Sequence, residues 1–173
     1  VKVQFFCEKS NLLADCTKPT LVIDFAKRTR ENLEFLEQEQ KAGKSVYEVT
    51  QLINSMLGLL VFPKERWIDR IPKIPIEELE SRGWPKLNPT LGILQSGNYR
   101  PCEDLRGLVR YLRNAIAHCN LEFKPDSDGN IVGIRLWNKQ LRQPYNKTWE
   151  VDLSIKDLRM IVDKFINLLI DGD

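Results

Sequence analysis

Within the stretch Arg113-Asn114-Ala115-Ile116-Ala117-His118, a guanidinium, an amide and the chain's single imidazole fall within six consecutive residues. These side chains can bind an anion, orient a hydroxyl and move a proton near neutral pH. They lie at the end of a helical pattern. With Leu105 at zero and about 100° per residue, Leu105, Leu108, Val109, Leu112 and Ile116 fall in one apolar arc. Arg106, Arg110, Arg113, Asn114 and His118 fall on the other side. A polar helix face is usually just solvated. Here the arginines have no acidic i+4 partners within the face, so they form no salt-bridge ladder.

The elements that must hold this face are legible from periodicity. Residues 1–20 carry neither helical nor strand spacing and open with Val, and they are set apart as an extension of uncertain role. Residues 21–173 read as a single domain. A helix is expected from Leu21 to about Gln40, with Ile23, Ala26, Leu33 and Leu36 at helical spacing, and Gly43 ends it. Ser45 and Glu48 suggest a capping box for a second helix bearing Val49, Ile53, Met56, Leu57 and Leu60. Pro63 to Pro101 is broken by prolines into a connector with a short helix at Ile76–Arg82, and Trp67 and Trp84 packed beneath it. The arginine-bearing helix runs from about Glu103 to His118.

Asp126-Ser127-Asp128-Gly129 is turn chemistry after Leu121-Glu122-Phe123. Ile131–Trp137 and Thr148–Leu153 can pair as a small antiparallel hairpin. Ser154 with Asp157 caps a last amphipathic helix of Ile155, Leu158, Ile161, Val162, Phe165, Leu168 and Leu169. The expected fold is therefore mainly α, a helical bundle with a small β-hairpin near the C-terminus.

Composition narrows the function. A chain of 173 residues can bury a core without disulfides, and 42% hydrophobic with 29% charged residues is ordinary for a soluble domain. A net charge of +2 does not announce a nucleic-acid binder, so any such role rests on local clustering of the 26 basic residues. Cys7, Cys16, Cys102 and Cys119 form no C-x-x-C pair and, with one histidine, no zinc spacing. They are expected to be free, mostly packed thiols, with no metal and no cofactor. Cys119 beside His118 is not a catalytic pair, because neighbours along a helix diverge in direction. No apolar run reaches the ~18 residues of a membrane span, and no signal-peptide pattern opens the chain, so the cytoplasm is the expected compartment. No Walker, Rossmann or serine-hydrolase signature is present.

The segment 113–118 matches the R-x-x-x-x-H motif of HEPN (higher eukaryotes and prokaryotes nucleotide-binding) domains, with the polar residue that often follows the Arg. The surrounding sequence resembles a bacterial plasmid- and chromosome-borne subfamily. The similarity includes Asp24-Phe25-Ala26-Lys27-Arg28-Thr29, Glu31-Asn32-Leu33, Tyr47-Glu48-Val49-Thr50-Gln51-Leu52-Ile53-Asn54 and Leu59-Leu60-Val61-Phe62-Pro63-Lys64-Glu65, and covers most of residues 24–120. The resemblance implies a bundle that often dimerises with the motif helices facing one another. It also implies a metal-independent endoribonuclease of the toxin–antitoxin or phage-defence kind, with RNA as substrate and a nucleotidyltransferase-like antitoxin as a possible partner. Other members are non-catalytic binding modules or structural dimerisation domains.

On the nuclease reading His118 is acid or base, Arg113 clamps phosphate, and Asn114 orients the imidazole or a ribose hydroxyl. Arg106 and Arg110 guide the flanking backbone. One chain supplies one histidine, so acid and base together require two copies. A polar group from the earlier helix often joins this site, and Asn54, amid Ile53, Met56 and Leu57, is the candidate if it faces inward.

Overall fold

The computed structural model describes residues 19–61, 68–91, 102–140 and 143–171. The expectations for residues 1–18, including Cys7 and Cys16, and for Trp67 lie outside the described residues.

Helix α1 (Pro19–Lys41) buries Val22, Ala26 and Leu33 along one stripe. It ends where Gly43, at φ 80°, lets the chain reverse and the Lys44 N–H reach the Glu39 carbonyl at 3.0 Å. Helix α2 (Glu48–Val61) begins later than a cap at Ser45 would place it, and the Tyr47 carbonyl accepts its first-turn bond from the Gln51 N–H. Its buried side is Val49, Leu52, Ile53, Met56, Leu59 and Leu60. At Gly58 an added Cβ would stand 2.3 Å from Cζ of Phe25 on α1, so the Phe25 ring rests on the bare glycine and a side chain there would have to displace it.

The short helix α3 (Ile76–Leu79) continues as a 3₁₀ turn through Arg82, as the sequence suggested, and Trp84 beyond it is buried. Strand β1 (Thr90–Leu91) precedes helix α4 (Leu105–Ala117), which bears the motif. Then come β2 (Leu121–Pro125), β3 (Ile131–Gln140), β4 (Gln143–Ser154) and helix α5 (Ile155–Asp171).

The expected hairpin exists, but as the centre of a larger element. All pairs are antiparallel, in the order β1-β4-β3-β2. β2 was read only as the approach to a turn, because five residues at an edge carry little alternation. The turn itself is as expected: the Asp126 carboxylate accepts the N–H groups of Asp128 (2.9 Å) and Asn130 (2.8 Å), and Gly129 sits at φ 85°. Those bonds hold the Asp126 carboxyl below its usual range.

One sheet face packs on the helices, burying Ile134, Leu136, Trp149, Val151 and Leu153. The other face is charged, with Arg135 bonded to Asp152 at 2.9 Å and Lys124 paired to the same carboxylate. Helix α5 lies against α1, α2, β3 and β4, and α2 also packs on α4. Ser154 and Asp157 form the expected reciprocal cap: the Asp157 N–H reaches Ser154 Oγ and the Ser154 N–H reaches Asp157 Oδ2, both at 3.1 Å. Among the described residues no helix is long and apolar enough to cross a membrane.

Candidate functional site

Helix α4 starts at a true cap. Asp104 has extended backbone angles, and its carboxylate accepts the Gly107 N–H at 2.7 Å. Leu105, Leu108, Val109, Leu112, Ala115 and Ile116 are then buried against α2 and β3, which contains the predicted apolar arc in full. The polar side resolves into two rows. Arg110, Asn114 and His118, at i, i+4 and i+8, form one exposed row, while Arg106 and Arg113, seven apart, lie half-buried beside it.

The arginines have different surroundings. Arg106 donates through Nε (2.9 Å) and Nη2 (2.7 Å) to the Ile71 carbonyl, fastening the first turn of α4 to the connector. Leu105 N–H to the Ile74 carbonyl, at 2.8 Å, reinforces that attachment. By the helical rise Arg106 stands about 18 Å from His118, so it belongs to the opposite end of the helix. Arg110 meets Asp69 at 3.4 Å, an exposed pair of small energetic weight. Asn114 stands one turn before His118 on the exposed row, and Arg113 is half-buried on the adjoining one.

At its far end α4 stops in a tight reversal. His118 is the cap residue, its N–H on the Asn114 carbonyl at 3.1 Å. Cys119 adopts a left-handed φ of 53°, its N–H reaches the Ile116 carbonyl (3.0 Å), and the Asn120 N–H reaches that of Ala115 (2.8 Å). This is the Schellman pattern, normally built on glycine. The imidazole is thus exposed where helix passes into sheet. Cys119 is exposed too, contrary to the packed thiol expected, whereas burial, with Asp104 adding, pushes the Cys102 thiol up to about 12.

Two contacts lock the middle of α4 to the sheet. Tyr111 stacks on Trp149 with ring centroids 5.4 Å apart and 13° between planes. Asn138 Nδ2 donates to the Tyr111 carbonyl at 2.8 Å from a buried position. Sequence reasoning did not single out Asn138, because bulges after it break the alternation of β3.

Asn54 is exposed on α2, so the inward-facing reading of it is corrected. The polar residue that turns inward is its neighbour Ser55, 4% exposed. A cleft of about 370 Å³ borders the first turns of α4, lined by Asp69, Lys73, Arg106 and Arg110 among others. A larger one, about 730 Å³, lies between Trp84, Leu105 and Leu168. Neither includes His118. Among the described residues no three His, Cys, Asp or Glu side chains are grouped to hold a metal ion.

The motif helix thus ends with Asn114 and His118 exposed and Arg113 half-buried, within a mainly helical domain. Residues 9–173 match the family model HEPN pEK499 p136, and the chain belongs to that family. No match was found among curated proteins or among solved structures.

Proposed function

We propose that this protein is a metal-independent endoribonuclease whose active site is completed by a second copy of the chain. The observation that carries the reading is the exposure of His118 beside Asn114 at one end of α4, with Arg113 on the adjoining row. Cleavage by the ribose 2′-hydroxyl needs a base for that proton, an acid for the departing 5′-oxygen and cations for the dianionic phosphorane. Two chains placed with their motif helices together bring two imidazoles and two copies of Arg113 to one scissile phosphate. One His118 takes the 2′-proton as the oxygen attacks phosphorus. The other protonates the 5′-oxygen as the P–O bond breaks, leaving a 2′,3′-cyclic phosphate and a 5′-hydroxyl. Asn114 orients the ring or the hydroxyl, and Arg110 steers the adjoining backbone. Arg106 acts at a distance, by holding the helix.

The test is cleavage of RNA by purified protein in EDTA, with the oligomeric state read by light scattering. His118→Ala is expected to lose on the order of 10²–10⁴ in rate, and Arg113→Ala to lose activity as well. Equal cleavage by wild type and His118→Ala, or a strictly monomeric active protein, overturns the proposal. The setting for such an activity is a cytoplasmic toxin–antitoxin or phage-defence system, restrained by a nucleotidyltransferase-like antitoxin.

A second reading, a module that binds RNA, nucleotide or protein without cutting, is favoured by one observation: a cleft of about 370 Å³ lined by Arg106 and Arg110 lies at the first turns of α4. Salt-sensitive RNA binding without cleavage, and harmless expression, would be its signature.

A further inference from the structure

We infer that the RNA-binding surface continues from the motif onto the outer face of β3 and β4, where Lys139 and Lys147 hold a backbone phosphate of single-stranded RNA above the Trp137 ring. This rests on the reading of the protein as an RNA-acting domain and adds to it where the strand runs beside the scissile bond.

Three observations meet at this place. Lys139 and Lys147 are register partners across the β3–β4 pair, so their side chains leave the same face from neighbouring positions. Like charges so opposed repel one another. Both ammonium groups nevertheless converge on one aromatic ring, 5.8 Å and 4.8 Å from the Trp137 centroid. Lastly, the Trp137 N–H donates to the Asn120 carbonyl at 3.1 Å, and Asn120 follows His118 by two residues, a span of at most about 7 Å. The stretch of β3 that carries Trp137 and Lys139 therefore joins the chain just past His118 through its backbone.

Charge balance singles out these lysines. Elsewhere on this face Arg135 and Lys124 share Asp152, and Arg135 also lies 3.9 Å from Glu150. Lys147 pairs with Glu150, but Lys139 makes no ion pair among the described residues. Of the two ammonium groups over the Trp137 ring, only that of Lys147 thus has a carboxylate partner among the described residues. A phosphate diester supplies the missing negative charge, and Lys binds it as a point charge without demanding a fixed geometry. A flexible single strand can pass from the exposed row of α4 across the helix–sheet junction to this pair, with a base lying on the indole edge.

The experiment compares the full chain carrying His118→Ala, which prevents turnover, with the same protein also carrying Lys139→Gln and Lys147→Gln. Binding of a short fluorescent single-stranded RNA is followed by anisotropy over a salt series. The expected result is about tenfold weaker binding at low salt and a log–log salt slope shallower by about 1, with an unchanged thermal midpoint. Lys139→Gln alone, which breaks no ion pair among the described residues, moves affinity the same way by less and separates charge from folding. Unchanged affinity and slope overturn the inference while leaving the nuclease reading intact, including the case where these lysines instead capture an acidic protein. Absence of RNA binding by the parent at every salt concentration overturns both.

Discussion

Cys119 has a left-handed backbone, which costs an L-residue roughly 1–2 kcal/mol. The Schellman turn that demands it is what ends α4 at His118. Since the thiol is exposed, little packing is lost on its removal. Cys119→Gly is therefore expected to raise unfolding free energy by about 0.5–1 kcal/mol, measured by urea denaturation. A loss of stability would show that the Cβ makes contacts worth more than the strain. At this same scale His118 was readable because its type is rare: one imidazole in the chain admits no competitor. Asn54 was misplaced because Ile53, Met56 and Leu57 suggested an apolar arc centred beside it. Leu57 is in fact exposed, so the buried arc is rotated toward Ser55.

Elements whose ends carry their own chemistry were the ones the sequence made plain. Asp126 with Gly129 defined the β2–β3 turn, and Ser154 with Asp157 defined the start of α5. Replacing Ser154 by Ala removes the acceptor for the Asp157 N–H and is expected to cost about 1 kcal/mol, within the usual 0.5–2 kcal/mol for caps. The denaturation midpoint would fall with an unchanged m-value. Ser45 and Glu48 had the same spacing, yet α2 begins at Glu48 itself. Spacing alone does not decide where the first turn closes. The extent of the sheet was hidden for two physical reasons. β1 and β2 are short, and the register shifts after Asn138 defeat a period of two at the point where Lys139 and Lys147 meet.

For the molecule as a whole, the sheet's outer face couples stability to acid. Asp152 is held at about 2, first by its hydrogen bond from Arg135 and then by Lys124, against an ordinary 3.8. A depressed carboxyl contributes stability that is complete above its unfolded value and is lost as pH falls from there toward 2. Denaturant midpoints measured through that window should decline in wild type, and decline less steeply in Asp152→Asn, which begins lower. The contribution is modest, because the carboxylate is half exposed and solvent screens it.

The grip of Arg106 on the Ile71 carbonyl and that of Asn138 on the Tyr111 carbonyl fasten α4 at its first turn and at its middle. A rod gripped at two points can neither roll nor slide by itself. Two such rods can be brought into or out of mutual alignment only by carrying their entire bodies along. For the proposed two-chain site, a small wedge lodged between the bodies, without touching the imidazole, would therefore be enough to disarm the pair.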